Sequence, residues 1–264
     1  MNQALISQGV PLASFRAVVF DLFDTLVDFD ITLFPVVEID GKEEKTTSRA
    51  AYDALYDGGF LVPNYPAFHQ LWLQNSKEVW GERNNDPELK EVRSIVRFRL
   101  LMDLLVAIPA QDRERAALTA LNAHMYGIEN SVVFDTDRLD VLGRIKDAGL
   151  PVALLSNFDH APTARRIIDK MGITPYMDSI LISEDEGYRK PAASLFLKVA
   201  EELGVAPAEV LFVGDTFDAD VTGPQGVGMP CAWINRKGAP VPEGARPPDF
   251  EIEDVKEALS ILGL

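Results

Sequence analysis

A short apolar run that ends in acids constrains the fold of this chain more than any other stretch. Residues 17–20 read Ala-Val-Val-Phe, Asp21 follows directly, and Asp24 and Thr25 come next. Strands of parallel sheets are covered on both faces and therefore read as continuous apolar runs. Ligands of open α/β sheets bind beyond the carboxyl ends of such strands. The pattern predicts a buried strand that carries Asp21 at its tip.

Later segments repeat this pattern of an apolar run followed by polar residues. Residues 152–155 lead into Ser156 and Asn157, and residues 209–213 lead into Gly214 and Asp215. Alternation of strands and helices after residue 131 predicts an α/β fold with a doubly wound parallel sheet. Further strands are expected at 179–182 and 231–234, and helices at about 137–148, 161–171, 192–203, 219–227 and 253–262.

Residues 28–130, between the first strand and the later α/β segments, have a different sequence pattern. Residues 35–42 alternate and then turn at Asp40-Gly41, which predicts a hairpin. Helical patterns follow at about 47–57, 65–83, 87–107 and 111–126, with Thr47 and Asp86 as expected N-caps. We therefore expect a core domain of residues 1–27 and 131–264, with residues 1–14 as an extended lead-in. Residues 28–130 are expected to form an inserted helical domain.

The composition and net charge of the chain disfavour some classes of binding partner. The chain has 41 acidic and 25 basic residues, so its formal net charge of −16 opposes binding to nucleic acids and to anionic membranes. Residues 1–14 lack the charged start and apolar block of a secretory signal, and no run approaches the ~18 apolar residues of a membrane span. The single cysteine, Cys231, fits a reducing compartment. A cytoplasmic monomer or homodimer is expected.

Four motifs in order resemble those of the haloacid dehalogenase-like hydrolase superfamily. They are Asp21-Leu22-Phe23-Asp24-Thr25, Ser156-Asn157, Gly187-Tyr188-Arg189-Lys190-Pro191 and Gly214-Asp215-Thr216-Phe217-Asp218-Ala219-Asp220. The resemblance implies a Rossmann-like core with a helical cap inserted between the first and second motifs. Caps of this kind close over the active site, exclude water and choose the substrate.

The resemblance also implies catalytic roles. Asp21 is expected to attack phosphorus and form an aspartyl-phosphate, which splits one difficult displacement into two easier ones. Thr25 and Ser156 would donate hydrogen bonds to the transferring phosphoryl oxygens, and Lys190 would neutralise charge there. Asn157 is expected to help bind substrate through its backbone amide. The substrate would be a small anionic metabolite that carries a phosphoryl group.

A magnesium ion is the cofactor that the resemblance implies. Mg²⁺ takes one or two carboxylates together with phosphate oxygens and waters. The expected ligands are Asp21, the backbone carbonyl of Phe23, Asp215 and Asp220. Asp215 is expected to bind directly, and Asp220 through water or by orienting Lys190.

Candidate substrate contacts in the helical insertion are arginines and aromatic residues. Arg49, Arg93 and Arg97 are the predicted substrate-binding residues, and Arg93 and Arg97 are expected to share a helix face because they are four residues apart. Other candidates in this segment are Tyr52, His69, Trp72 and Trp80.

One position departs from the pattern of the family's phosphatases. These enzymes usually carry a second aspartate two residues after the nucleophile, where it protonates the leaving alcohol, and this chain has Phe23 there. Loss of general acid–base help costs about 10²–10⁴-fold in rate. Three hypotheses follow: a Mg²⁺-dependent phosphatase, a dehalogenase similar to the L-2-haloacid enzymes, whose halide leaves without a proton, and a phosphate-binding protein with little turnover. Retention of Gly214-Asp215 favours the phosphatase over the dehalogenase.

Overall fold

A computed structural model describes residues 15–39 and 41–264 of the chain; the predicted lead-in at residues 1–14 and Asp40 lie outside the described residues. In these ranges the strands are β1 Ala17–Phe20, β2 Asp28–Phe29, β3 Val36–Ile39, β4 Lys42–Lys45, β5 Val132–Val133, β6 Val152–Ser156, β7 Ser179–Ile182, β8 Val210–Gly214, β9 Cys231–Ile234 and β10 Phe250–Ile252. The helices are α1 Ser48–Asp57, α2 Tyr65–Asn85, α3 Ser94–Leu104, α4 Arg113–Asn130, α5 Asp137–Asp147, α6 Ala161–Lys170, α7 Ser183–Glu186, α8 Ala193–Glu202, α9 Gly223–Gln225 and α10 Ala258–Leu262.

Within the described residues the chain divides into two compact units. One comprises the described residues up to Asp28 together with Phe134–Leu264, and the other is Phe29–Val133. The function of the second unit as a cap stays a prediction. No helix in the described part of the chain is both long and apolar enough to cross a membrane.

The first unit is built on a six-stranded sheet in the order β10-β9-β8-β1-β6-β7, with every described pairing parallel. Helices follow its strands, so the predicted α/β fold is confirmed. The strand β1 lies centrally, with Phe20 opposite Leu154 on one side and Val213 on the other. This register brings Asp21, Ser156 and Gly214 to the same edge of the sheet.

Burial explains why the central strands read as unbroken apolar runs. All four residues of β1 and the apolar residues of β6 and β8 are fully buried. A strand with both faces covered gains stability from every apolar side chain, so alternation with polar residues is absent. Its polar residues are displaced to the strand ends, where the backbone emerges at the edge of the sheet.

The second unit is helical, with a hairpin before its first helix. The helices α1 and α3 both pack on α4, and Phe68, Phe98 and Met102 are buried in this unit. Strands β3 and β4 pair antiparallel, which confirms the predicted hairpin. Gly41 has a φ of 74°, a left-handed conformation that favours glycine.

The predicted helix at 87–107 is wrong at its start. Asp86 ends α2 instead of capping the next helix, and α3 begins only at Ser94. The Asp86 carboxylate accepts hydrogen bonds from the backbone N–H groups of Glu88 and Lys90, at 3.0 and 3.1 Å. Such local side-chain bonds compete with helix formation. Leu89 has a φ of 56°, which interrupts the helical backbone.

The segment after β8 also differs from its prediction. A single helix was expected at 219–227, but residues Phe217–Thr222 form a π-helix that is followed by the short helix α9. The N–H of Asp220 donates to the Thr216 carbonyl at 2.7 Å, and the Asp220 carboxylate accepts from the Thr216 N–H at 2.9 Å. The hydrogen bonds of Asp220 thus set the turn that places its own side chain.

Candidate functional site

A buried lysine bridges two carboxylates at the tips of the central strands. Lys190 Nζ lies 2.7 Å from Asp21 Oδ1 and 2.7 Å from Asp220 Oδ1. Lys190 and Asp21 are buried and Asp220 is completely inaccessible. The N–H of Asp21 donates to the carbonyl of Val213 at 2.9 Å, so the backbone of Asp21 continues the pairing of β1 with β8. Three segments far apart in the chain therefore converge on one charged cluster.

Burial and neighbouring charges both shift the pKa values of these groups. The pKa of Asp21 is raised from 3.8 to about 7: burial is the main cause, attraction to Lys190 lowers this pKa and repulsion from Asp220 raises it. Burial alone would lower the pKa of Lys190, but the two carboxylates outweigh it and raise that pKa. Lys190 is consequently held as the charged ammonium. A buried carboxylate with a raised pKa is a frequent feature of functional sites.

A third carboxylate completes a cluster that suits a hard cation. Ligand oxygens of Asp21, Asp215 and Asp220 all lie within 4.8 Å of one another. The pKa of Asp215 is raised from 3.8 to about 6, mainly by burial and also by the nearby charges of Asp220 and Asp24. One ammonium leaves two of these three negative charges uncompensated. Oxygen ligands around a divalent cation would remove that repulsion, so the residues present fit Mg²⁺.

Local contacts fix the position of Asp215. The indole Nε1 of Trp233 donates to the Asp215 carbonyl at 2.7 Å, and the Thr216 hydroxyl lies 3.3 Å from Asp215 Oδ1. A Cβ atom at Gly214 would come within 2.6 Å of the Asp220 Cβ. Glycine at this position therefore lets the Asp220 side chain approach the end of β8. This requirement was not among the predictions from the sequence, although a glycine between a buried strand and an acid is a visible signal of close approach.

Two hydroxyls at the strand ends are buried without hydrogen-bond partners. Thr25 Oγ1 and Ser156 Oγ have no partner among residues 15–39 and 41–264, and both residues are fully inaccessible. Most buried polar side-chain atoms are hydrogen-bonded, and an unsatisfied one costs about 1–3 kcal/mol. Two such hydroxyls in the first two motifs are donors that a bound anion could satisfy.

The structure gives Asn157 a different environment from a substrate contact. Its side-chain amide donates to the Lys190 carbonyl at 3.0 Å and accepts from the Lys190 N–H at 2.7 Å. These two bonds engage the side chain with the backbone of the lysine loop. The predicted substrate contact through the Asn157 backbone amide stays a prediction.

Phe23, at the position where the family's phosphatases usually carry a proton donor, packs against a second aromatic ring. The rings of Phe23 and Phe158 have centroids 4.8 Å apart and planes tilted by 42°, and both residues are half-buried. Asp24, next in the chain, is exposed and has a φ of 57°. The Phe23 carbonyl as a metal ligand stays a prediction.

The arginines of the helical unit occupy three different environments. Arg49 is exposed, pairs with Asp53 at 2.9 Å and lies over the rings of Tyr52 and Tyr65. Arg97 is buried, lies over aromatic rings and donates to His124 Nε2 at 3.0 Å. Arg93 is exposed and precedes the first residue of α3. The expected shared helix face is therefore wrong, because α3 starts after Arg93.

Comparison with known proteins places these motifs in a family. The family model described as haloacid dehalogenase-like hydrolase matches residues 15–228, a range that contains all four motifs. The chain belongs to this family. Among curated relatives of this haloacid dehalogenase-like hydrolase, the glyceraldehyde 3-phosphate phosphatase of Methanopyrus kandleri is 24% identical over 240 residues, which cover 90% of this chain and 95% of the relative.

Other similar proteins carry names that give different activities. The phosphoglycolate phosphatase of Escherichia coli O157:H7 is 29% identical over 254 residues, covering 94% of this chain and 93% of the relative. The crystal structure of 2-haloacid dehalogenase from Pseudomonas syringae pv. Tomato DC3000 matches with a TM-score of 0.70 at 22% identity, covering 94% of this chain and 98% of that chain. At this identity the structural likeness shows the shared fold.

The carboxylate cluster predicts a specific response to Mg²⁺. Binding to the folded protein should raise the melting temperature, because a ligand at about 100 times its Kd stabilises by about 2.7 kcal/mol. Asp215→Asn should abolish this gain while raising the melting temperature of the metal-free protein, since one repelling charge is removed. Differential scanning fluorimetry with Mg²⁺ or with chelator measures both effects.

The exposed Asp218 provides the matched control for this measurement. Asp218→Asn changes the net charge equally and should keep the full response to Mg²⁺. An equal response in wild type and Asp215→Asn would contradict a metal site at this cluster.

Proposed function

We propose that this protein is a Mg²⁺-dependent phosphatase that hydrolyses a small phosphorylated metabolite through an aspartyl-phosphate on Asp21. The observation that carries the proposal is the pair of buried, unpartnered hydroxyls of Thr25 and Ser156, together with the Lys190 ammonium beside Asp21. Two hydroxyl donors and a cation next to a carboxylate suit a tetrahedral anion that undergoes attack. Phosphatases among the curated relatives support the same reaction class.

In the first chemical step, a carboxylate oxygen of Asp21 attacks the phosphorus atom. The new bond joins Asp21 to phosphorus, while the bond between phosphorus and the leaving-group oxygen breaks and its electron pair goes to that oxygen. Thr25 and Ser156 donate hydrogen bonds to the phosphoryl oxygens. Lys190 adds a fixed positive charge, and such pre-positioned donors and charges lower the barrier because they require no reorganisation.

In the second step, a water oxygen attacks the phosphorus of the aspartyl-phosphate. The bond from phosphorus to Asp21 breaks and its electron pair returns to the carboxylate. The attacking water gives a proton to solvent, which replaces the proton that the leaving alkoxide took from water, and inorganic phosphate and an ionised Asp21 result. Overall, one ester and one water become one alcohol and one phosphate. Asp21, Asp215 and Asp220 would hold Mg²⁺, which supplies positive charge against the phosphoryl oxygens.

Phe23 supports dehalogenation as the second candidate. A phenyl ring has no proton to give to a leaving alkoxide, so in the phosphatase reaction that proton comes from water. A halide leaves without a proton, and the contact of Phe23 with Phe158 forms an apolar surface that a halogenated carbon could occupy. Asp21 would then attack carbon instead of phosphorus. The cluster of three carboxylates favours phosphate, because a halide displacement has no need of Mg²⁺.

Phe23→Asp separates the two candidates. In a phosphatase, the new carboxyl group supplies the missing general acid, and turnover of phosphate esters should rise by at most about 10²–10⁴-fold. In a dehalogenase, the same charge repels an anionic 2-haloacid and turnover should fall. Wild type and variant are assayed on phosphate esters and on 2-haloacids, each with Mg²⁺ and with chelator.

Phe158→Asp is the control, since it places the same charge in the same aromatic pair two residues after Ser156 instead of Asp21. It should give no gain. If Phe23→Asp folds and binds Mg²⁺ but still shows no gain on any ester, Phe23 does not limit the chemistry. In that case a binding protein with little turnover explains the site better. Haloacid turnover that is insensitive to chelator would establish the dehalogenase.

We further propose that the helical unit Phe29–Val133 acts as a cap and chooses the substrate, with Arg49, Arg93 and Arg97 as candidate contacts. Motion of a cap requires flexible connections, which we expect near residues 27–30 and 128–133. Hydrogen exchange should be faster at these connections than in β1 and β8, and should slow when phosphate and Mg²⁺ bind. Protection of both connections equal to that of the sheet would rule out the cap motion.

A further inference from the structure

The side chain of Asn157 is matched to the backbone of Lys190. Its Nδ2 donates to the Lys190 carbonyl at 3.0 Å and its Oδ1 accepts from the Lys190 N–H at 2.7 Å, across 33 residues of sequence. An amide offers one donor and one acceptor side by side, as a backbone pair requires. An aspartate would keep only the acceptor, and an alanine would keep neither.

Lys190 is thereby fixed at both of its ends. Its ammonium bonds to Asp21 and Asp220, and its backbone bonds to Asn157. A lysine side chain has a flexible four-carbon stem, so the position of its ammonium depends on where the backbone is held. Without the Asn157 bonds, the Lys190 backbone itself is no longer hydrogen-bonded to the end of β6, and the ammonium can follow Asp220 away from Asp21.

The position of Asn157 in the chain also links the backbone of Lys190 to the hydroxyl of Ser156. Asn157 directly follows Ser156, whose buried hydroxyl has no partner among the described residues. The same short segment therefore sets both the hydroxyl and the backbone of the lysine. Two groups that bind one phosphoryl anion must keep a fixed separation, and a misplacement of about 1 Å can cost about 10²-fold in rate.

We propose that Asn157 is a positioning residue that holds Lys190 against Asp21 through the two bonds from its side-chain amide to the Lys190 backbone. Asn157 acts on the reaction through Lys190, and its side chain has no contact with the substrate. The effect on turnover rests on the proposed phosphatase function, whereas the effect on Lys190 itself does not.

A second asparagine in the same unit supplies a matched control. Asn235 Nδ2 donates to the Ala239 carbonyl at 2.9 Å, and its Oδ1 accepts from the Ala239 N–H at 2.8 Å. The side chain of Asn235 also donates to Glu251 Oε1 at 2.6 Å. Asn235→Ala thus removes the same type of backbone clamp from a loop that carries no lysine of the site.

The experiment compares Asn157→Ala with Asn235→Ala in two measurements. The first measurement is of kcat and KM for p-nitrophenyl phosphate with Mg²⁺. Asn157→Ala should lower kcat by about 10- to 100-fold and change KM less. Asn235→Ala should leave kcat near the wild-type value. The second is acylation of Lys190 Nζ followed by mass spectrometry. This amine should be protected in wild type and in Asn235→Ala, and should react faster in Asn157→Ala.

Each remaining outcome decides the proposal. Asn157→Ala with wild-type kcat and a protected Lys190 would overturn it, and equal losses in both variants would assign the effect to general destabilisation. If wild type hydrolyses no phosphate ester, the proposed function fails and the reactivity of Lys190 alone tests the positioning role. Should Asn157→Ala not fold, Asn157→Asp keeps the acceptor and should give a smaller increase in Lys190 reactivity; no increase would overturn the proposal.

Discussion

The structure of the site depends on one buried ammonium shared by two carboxylates. Lys190 lies 2.7 Å from both Asp21 and Asp220, and all three are removed from water. Loss of one partner from a buried ion pair is strongly destabilising, because the remaining charge stays buried and uncompensated. With Asp215 the cluster keeps an excess of negative charge. Burial is the main cause of the raised pKa of Asp21 and of Asp215, and repulsion from Asp220 raises both further. A divalent cation bound at these carboxylates would offset this excess of negative charge.

The parallel sheet explains how residues distant in sequence meet there. Strand β1 lies between β6 and β8, so their carboxyl ends reach one edge and place Asp21, Ser156 and Gly214 side by side. The absence of a Cβ at Gly214 admits Asp220, and the turn from Thr216 directs the Asp220 carboxylate to Lys190. Backbone geometry at the strand ends therefore determines the chemistry that the site can perform.

Local patterns predicted much of this arrangement because their physical causes are local. The unbroken apolar runs predicted β1, β6 and β8, and the polar residue after each run predicted the edge where the site lies. The helix predicted at 87–107 was wrong because a single Asp86 carboxylate binds two backbone amides, a competition that helical periodicity does not reveal. The strand β10, Phe250–Ile252, was missed because three residues are too short for a clear pattern.

Long-range hydrogen bonds were beyond prediction for a different reason. The clamp from Asn157 to Lys190 joins two loops, and it depends on the orientation of one amide relative to a backbone 33 residues away. Sequence spacing contains no information about that orientation. The packing of Phe23 on Phe158 is similar, since the sequence showed the departure at position 23 but not the second ring.

Transfer of the phosphoryl group to Asp21 can be detected by rapid acid quenching. Wild-type protein with Mg²⁺ is mixed with a phosphate ester labelled on phosphorus, quenched within the first turnover, and digested for peptide mapping. We expect label on Asp21 in the wild type and no label on the same peptide in Asp21→Asn, which should also lose turnover. Turnover without label at Asp21, or label and activity that persist in Asp21→Asn, would rule out an aspartyl-phosphate on Asp21.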